Sequence, residues 1–404
     1  MQKTGNVLQP VFKRSVATQS YSKRLPLLSL NNIIHRDLAM PTAVRSTTAP
    51  AEFTSVQSVK AVAAWNYSSV SSVRLDVVRV IACLAVILLH LSATIVMDRD
   101  LLGTVGWHIA NVIDAATRWC VPVFVMLSGA LLLDPQKHTS PHEFWARRVN
   151  RLLPALIVWS TIYLAWRAYF WKEPLSFGVI SHDLVIGRPY IHLYFLFLIA
   201  GLYLVTPFLA RMIGSLSSAQ LRQTILIISA LAMMANLFDW LESSALTLFV
   251  PYLAYYLGGW YCARVWVDHP RAYGWALAGA IGIISVLTAL LVPAQGLDDR
   301  WSFYFYEDFS PTTMVMTVAV FMLTLRAPIP SQMEALARQL APWTLGVYVA
   351  HPIVVEILRY GYYHTIPILL LPPYYVPITF VATCVLTFGL IALMQQVPGL
   401  RRIV

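Results

Sequence analysis

An arginine and a histidine stand inside the first long apolar segment of the sequence. The stretch RLDVVRVIACLAVILLHLSATIVM begins at residue 74, and within it Arg79 and His90 are eleven positions apart. On an α-helix eleven positions are roughly 1100°, so the two side chains share one face and lie about 16 Å apart along the axis. A guanidinium suits phosphates or a carbonyl group, and an imidazole suits proton abstraction near neutral pH. The alternative is that Arg79 reaches the membrane surface and His90 bonds a neighbouring helix.

A second group of basic residues lies in FWARRVNRLLPAL, residues 144–156. Arg148 and Arg151 are three positions apart and therefore share a helix face, and Arg147 adds a third charge. Guanidinium groups bind phosphates through paired hydrogen bonds, so these arginines are candidates for holding a phosphorylated substrate. The alternative is an ordinary cluster of positive charge at the cytoplasmic end of a membrane helix.

Several acidic residues are candidate partners for the histidine. Asp114 and Arg118 are four positions apart and can pair with each other, or Asp114 can orient His90. Glu307 and Asp308 are alternative carboxylates, or they belong to a solvated loop.

Three further polar residues are candidates for a supporting role. Ser128 stands beside Gly129, which favours close helix packing, and it lacks the strand-to-helix setting of a nucleophile elbow. His351 precedes Pro352 within an apolar segment, where it either lines the same cavity as His90 or bonds another helix. His192 begins an apolar segment near the predicted outer surface, where a substrate from that side can reach it.

The elements that carry these residues are predicted to be membrane helices. The 404 residues are 58% hydrophobic and 12% charged, against about 25% charged residues in soluble proteins. The apolar runs are continuous over roughly 20 residues, which indicates helices and not strands of a barrel. We therefore predict an all-α, polytopic membrane protein. Ten segments have spanning length: 75–97, 111–133, 152–171, 190–210, 223–241, 246–264, 272–293, 310–326, 342–360 and 375–396.

The basic residues of the connections predict the orientation. The odd-numbered connections hold Arg99, Lys172, Arg188 and Arg300. The even-numbered connections hold Lys137, Arg147, Arg148, Arg151, Arg211, Arg222, Arg264, Arg271, Arg326 and Arg338. By the positive-inside rule the even connections and both termini are cytoplasmic, which requires an even number of crossings. The same rule explains much of the net charge of +10, so we expect no nucleic-acid partner.

The remaining features predict little chemistry. Residues 1–73 are rich in Ser, Thr and basic residues, and we expect a disordered tail or a leader ahead of a membrane domain at 74–404. The cysteines have no metal-ligand spacing and are expected to be packing residues, so no metal site is predicted. They are Cys83, Cys120, Cys262 and Cys384.

Five stretches, taken in order, resemble the acyltransferase-3 family of integral membrane O-acyltransferases. They include the Arg-x10-His spacing, a Val-Pro-x-Phe and Ser-Gly signature, Arg-x-x-Arg before Leu-Leu-Pro, and a late Gly-x-Tyr-x-x-His motif. The fourth stretch departs from the family at Tyr194, where Trp is frequent. The stretches are RLDVVRVIACLAVILLH (74–90), RWCVPVFVMLSGALLL (118–133), FWARRVNRLLPAL (144–156), HLYFLFLIAGLYLVTPFL (192–209) and TLGVYVAHPIVV (344–355).

The resemblance implies a function and roles for the residues. The branch that it is most similar to O-acetylates bacterial surface polysaccharides, such as the enterobacterial common antigen. It implies a protein of the bacterial cytoplasmic (inner) membrane that uses acyl-CoA, most simply acetyl-CoA, as a donor substrate, with no permanently bound cofactor. The acceptor would be an envelope polysaccharide or a lipid-linked glycan. His90 would act as general base or acyl carrier, Arg79 would position the donor, and Arg147, Arg148 and Arg151 would bind its phosphates.

Two other functions are consistent with the sequence. A transporter or glycan exporter would use His90, Asp114 and Arg118 as its pathway through the membrane. A structural membrane subunit would leave the buried charges without a role. The arginine cluster beside the Arg-x10-His spacing favours the enzyme.

Overall fold

The computed structural model describes residues 71–135, 140–238, 240, 244–264, 269–326 and 328–404. Within these residues the chain forms thirteen α-helices, several short 3-10 helices and no strand. The helices are α1 Ser72–Val96, α2 Val105–Thr117, α3 Cys120–Leu132, α4 Pro141–Tyr169, α5 Phe177–Val185, α6 Tyr194–Ser215, α7 Ser218–Phe238, α8 Leu253–Arg264, α9 Pro270–Gln295, α10 Pro311–Arg326, α11 Ser331–Leu340, α12 Thr344–Thr365 and α13 Pro372–Met394.

The predicted all-α membrane architecture is confirmed. Nine helical stretches of the described chain are long and apolar enough to cross a membrane, and they begin with α1 and end with α13. The predicted tail at 1–73 lies almost wholly outside the described residues, and α1 begins at Ser72.

Helix α1 stands in the middle of the bundle. It packs against α2, α3, α10, α11, α12 and α13. Thirteen of its residues are buried, from Val73 to Val96. Because other helices surround it, the polar residues on α1 face protein rather than lipid. This position favours a functional interpretation of Arg79 and His90 over a simple reach to the membrane surface.

The second predicted crossing consists of two helices, α2 and α3. The break falls at Arg118 and Trp119, between Thr117 and Cys120. Pro122 has no N–H to donate to the carbonyl of Arg118 four residues earlier, which removes one helical hydrogen bond at this point. The ion pair of Arg118 with Asp114 therefore lies beside a helix break.

The sixth predicted segment, 246–264, differs most from expectation. Its first half consists of turns, and only α8 is helical, with 12 residues. Twelve residues are about 18 Å long, less than the roughly 30 Å of a hydrocarbon core. Pro251 lacks the N–H that a continuous helix requires here. Irregular backbone is tolerated in a membrane where it is buried in protein, and Leu248 and Tyr252 are both buried.

Helix α8 runs parallel to α3 in close contact. Gly129 faces the backbone of Tyr256, and Gly259 faces the backbone of Met126. At the far end Arg264 lies 3.5 Å from the carboxylate of Asp134. The two glycines allow the two backbones to approach, which explains how a short helix is held inside the bundle.

The segment after α4 is fastened to that helix by one arginine. Arg167 forms two hydrogen bonds of 2.9 Å with Glu173 and one of 2.7 Å with Asp183. It also donates to the carbonyl of Pro189 at 2.8 Å. This network fixes the chain just ahead of His192 and so positions that histidine.

Candidate active site

Three arginines predicted from the sequence line one cavity of about 210 Å³. Arg79 comes from α1, and Arg148 and Arg151 come from the first half of α4. The start of α12 and residues of α3 and α6 complete the walls. The cavity therefore gathers positive charge at the end of the bundle where α1, α4 and α12 begin.

Arg79 is half-buried and has an acidic neighbour one turn away. Its guanidinium lies 3.3 Å from the carboxylate of Asp76. Arg151 and Tyr203 are its other electrostatic neighbours. Asp76 was not among the residues predicted for the site, although its spacing of three residues from Arg79 was an available signal.

The side chains of Arg148 and Arg147 lie in different surroundings. The guanidinium of Arg148 lies over the rings of Phe144 and Tyr203, at 5.4 and 5.5 Å from their centroids. The side chain of Arg147 is 69% exposed and lies 3.8 Å from Glu143. Arg147 is not among the lining residues of the cavity. The structure therefore brings two of the three predicted donor-binding arginines to Arg79.

A cluster of three histidines lies deeper in the bundle. The ring centroids of His90 and His351 are 5.1 Å apart, and those of His351 and His192 are 5.8 Å apart. His192 and His351 are buried, and His90 is half-buried. Each histidine comes from a different part of the chain, so the structure joins three of the residues predicted separately. Within the described chain no group of three or more His, Cys, Asp and Glu residues is arranged to hold a metal ion.

Tyr348 belongs both to the cavity and to the histidine cluster. It lines the cavity, and its hydroxyl donates to the carbonyl of His192 at 2.5 Å. Its ring lies 5.6 Å from that of His192 and 6.1 Å from that of His351. None of the three histidines is among the cavity's lining residues. Tyr348 is the tyrosine of the Gly-x-Tyr-x-x-His motif, which is the signal that could have identified it.

Glu356 is a half-buried carboxylate near the histidine cluster that the sequence prediction omitted. Its carboxylate accepts hydrogen bonds from the indoles of Trp166 at 2.5 Å and Trp171 at 3.3 Å, and from the hydroxyl of Tyr190. The ring of Tyr190 lies 5.5 Å from that of His192. Glu356 lies five residues after His351, and a carboxylate inside a predicted membrane segment was itself a signal.

Asp114 pairs with Arg118, one of the two arrangements that the sequence allowed. The Nε of Arg118 donates to the carboxylate of Asp114 at 2.5 Å. The guanidinium also lies over the ring of Tyr306, 3.9 Å from its centroid. Asp114 is fully buried. This geometry gives Asp114 a charged partner other than His90.

The two carboxylates after α9 have different surroundings. Glu307 is exposed, whereas Asp308 is half-buried. The carboxylate of Asp308 accepts a hydrogen bond from Tyr252, and its backbone carbonyl accepts one from Tyr255. Asp308 thus joins the connection before α10 to α8 and to the turns that precede it.

Ser128 lies in the cavity wall. Its hydroxyl donates to the carbonyl of Phe124, one turn earlier, at 2.9 Å. The neighbouring Gly129 makes the close contact with α8. The hydroxyl proton of Ser128 is therefore already engaged in a hydrogen bond within its own helix. The serine also does not lie at a strand-to-helix turn of the kind that activates a nucleophile.

A comparison with protein families gives one match over most of the chain. The family model described as an acyltransferase domain, Acyl_transf_3, matches residues 72–392. Comparison with curated proteins and with solved structures gives no match. The matched range begins with α1 and ends within α13, so it includes the arginine cavity and the histidine cluster. The chain belongs to the acyltransferase-3 family and is a multi-pass membrane acyltransferase.

Proposed function

We propose that the protein moves an acyl group, most simply acetyl, from cytoplasmic acyl-CoA to a hydroxyl of a cell-envelope glycan. The observation that carries the proposal is the cavity that Arg79, Arg148 and Arg151 share. Phosphates are the groups that clustered guanidiniums bind best, and the donor carries phosphates at one end and its thioester at the other. In this proposal the protein resides in a bacterial cytoplasmic membrane, with the cavity on the cytoplasmic side.

The size of the cavity fits one part of such a donor. At about 210 Å³ it is smaller than the roughly 300–1,000 Å³ of pockets that enclose drug-sized ligands. We expect it to hold the narrow arm of the donor while the nucleotide stays at the rim with Arg148 and Arg151. The thioester then lies toward Tyr348 and the histidines.

His90 is the proposed catalytic residue, and two routes are open to it. As a general base, it takes the proton from the acceptor hydroxyl while that oxygen attacks the thioester carbon. The C–S bond breaks, and the proton passes to the thiolate, so the products are an ester and free CoA thiol. As an acyl carrier, His90 first attacks the thioester carbon through its bare ring nitrogen, and the C–S bond breaks to release the CoA thiolate. The acceptor hydroxyl then attacks the acyl-imidazole and breaks its C–N bond, and the hydroxyl proton passes to the thiolate, so the products are again an ester and free CoA thiol.

A transfer assay tests the proposal. Membranes that contain the protein are incubated with radiolabelled acetyl-CoA, and label is measured in the envelope glycan. We expect label with the wild type and a loss of about a hundredfold or more with His90→Ala, the range for removal of a general base. His364→Ala is the matched control, because His364 lies on the surface near the end of α12. If His90→Ala labels as well as the wild type, the assignment of His90 is wrong.

The same assay tests the donor site. Arg148→Gln and Arg151→Gln should each raise KM for acetyl-CoA about tenfold or more, because a charge-assisted hydrogen bond contributes about 1.5–3 kcal/mol. Arg147→Gln should change KM much less, because its side chain lies outside the cavity. Equal effects of all three substitutions would indicate only a general attraction by positive charge. Loss of glycan export with acylation intact would instead favour a transporter.

A further inference from the structure

The ring of His351 is held by its own helix. Its Nδ1 lies 2.8 Å from the carbonyl oxygen of Tyr348 and 3.2 Å from that of Val347. A carbonyl oxygen only accepts hydrogen bonds, so Nδ1 carries the proton. In the neutral ring the other nitrogen, Nε2, is then a bare acceptor. The local backbone therefore selects one tautomer of this histidine.

His192 has the opposite tautomer for the same reason. Its Nε2 lies 3.3 Å from the carbonyl oxygen of Val349, so Nε2 carries the proton and Nδ1 is bare. Both bare nitrogens are buried and have no hydrogen-bond partner among the described residues. An unsatisfied buried polar atom costs about 1–3 kcal/mol, so Nε2 of His351 and Nδ1 of His192 each need a hydrogen-bond donor.

His90 is in the right place to be the partner of His351. Their ring centroids are 5.1 Å apart, with 38° between the ring planes. Two imidazoles joined by an N–H···N bond of about 3 Å have centroids about 5 Å apart. The separation of the two rings is therefore that of a hydrogen-bonded pair, provided that the half-buried His90 ring turns a nitrogen toward His351. His90 has two ring nitrogens. When one of them donates a hydrogen bond to His351, the other carries no proton and points away from His351.

We propose that His351 is the positioning residue for His90, with its Nε2 accepting the hydrogen bond of a His90 N–H. The inference rests on the proposed function. In either route His90 gains positive charge, because it accepts a proton or an acyl group on its bare nitrogen. A neutral acceptor on the opposite nitrogen fixes the productive tautomer and stabilises that charge. A carboxylate usually fills this role, but Asp114, the carboxylate predicted as a candidate partner of His90, is already paired with Arg118.

The matched variants are His351→Gln and His351→Asn. The amide of Gln reaches the position of Nε2 and supplies an acceptor there, whereas the amide of Asn ends near Nδ1 and supplies none. Both changes remove the ring and keep a polar amide, so a merely structural role predicts similar results. We expect Asn to lower kcat for acetyl transfer about a hundredfold and Gln to retain at least about a tenth of it. KM for acetyl-CoA should stay within about twofold in both.

Equal kcat values for folded Asn and Gln variants would overturn the proposal. His364→Asn is the control on the same helix, and thermal unfolding in detergent verifies that each variant folds. If a variant does not fold, ¹⁵N NMR of histidine-labelled wild type decides the question. The bare Nε2 resonance of His351 must then shift in His90→Ala, and an unchanged resonance would refute the hydrogen bond. The NMR measurement also separates this proposal from the function, because it needs no substrate.

Discussion

The ion pair of Asp114 and Arg118 is buried beside the break between α2 and α3, close to the histidine cluster. The side chain of Asp114 is fully buried and that of Arg118 is 21% exposed. Charges in such surroundings are costly when they lose a partner, whereas replacing both by apolar residues is often neutral. A single substitution and a double substitution therefore distinguish a contribution of the pair to stability from a role in the reaction.

Asp114→Asn should lower the free energy of unfolding by about 3–5 kcal/mol, because Arg118 then remains buried without its counter-charge. The double variant Asp114→Leu with Arg118→Met should recover most of that loss. Thermal unfolding in detergent measures both. We expect the double variant to keep acetyl transfer, since His351 and not Asp114 positions His90 in our proposal. A stable but inactive double variant would instead assign Asp114 or Arg118 to the reaction.

At the scale of residues, the sequence predicted those parts of the site whose partners are near in sequence. Arg148 and Arg151 share a face because of their spacing, and the eleven-residue step along α1 separates Arg79, which lines the cavity, from His90 deeper in the bundle. The sequence allowed a cavity shared with His90 as one of two settings for His351, but the contact between their rings depends on how α1 packs against α12. Tautomers are also invisible in a sequence, because the backbone carbonyls that select them belong to the folded helix.

At the scale of elements, the parallel contact of α3 and α8 holds one wall of the cavity in place. A methyl group at Gly129 would lie 1.8 Å from the carbonyl oxygen of Tyr256, and one at Gly259 would lie 1.9 Å from that of Met126. Because the obstacles are backbone atoms, they cannot move without separating the helices. Ser128, beside Gly129, would move with them and change the cavity.

Gly129→Ala and Gly259→Ala should each destabilise the protein by about 3 kcal/mol or more, at the upper end of the cost of overpacking. Gly279→Ala in α9 is the matched control. Apart from its own stretch of helix, no atom of the described residues lies within 4 Å of its added methyl group, so the substitution should stabilise the helix by up to about 1 kcal/mol. The melting temperature and the yield of folded protein measure the difference. Tolerance of alanine at both interface glycines would contradict the packing that we describe.

The sequence predicted the apolar segments well but not their internal breaks. Hydropathy averages over about 20 residues, so it detects that 111–133 and 246–264 are apolar without detecting a turn inside them. Pro122 and Pro251 were the available signals, but proline is common within continuous membrane helices. Whether a proline kinks or ends a helix depends on the neighbours that satisfy the freed backbone groups.

At the scale of the whole molecule, the first described helix begins and the described chain ends at the same end of the bundle. Arg74 donates to the carbonyl of Leu325 at the end of α10, at 2.5 Å. A methyl group at Gly346, in the first turn of α12, would lie 2.9 Å from a side-chain atom of Val404. An even number of crossings places the start of α1 and the end of the described chain on the same side of the membrane. The nine long helical stretches of the described residues and the segment that contains α8 together make ten crossings.

Single cysteines test the orientation predicted from the basic residues. In a cysteine-free background, Asp100→Cys should react in intact cells with a maleimide that cannot cross membranes. Ala219→Cys, in the first turn of α7, should react only after the cells are opened. Both positions are exposed, so accessibility within the protein is matched. The opposite labelling would reverse the orientation and would place the arginine cavity outside the cell.

The placement of Tyr348 has an electrical consequence. A membrane that sustains a voltage of 100 mV drives each elementary charge across it with about 2.3 kcal/mol, so a water-filled channel lined by arginines would leak anions. Tyr348 is buried where the cavity meets the histidines, and its hydroxyl is already bonded to the carbonyl of His192. In the proposed function, an uncharged thioester approaches this partition while the donor's phosphates remain with the arginines. In that proposal the fold keeps the membrane insulated while a neutral acyl group changes sides.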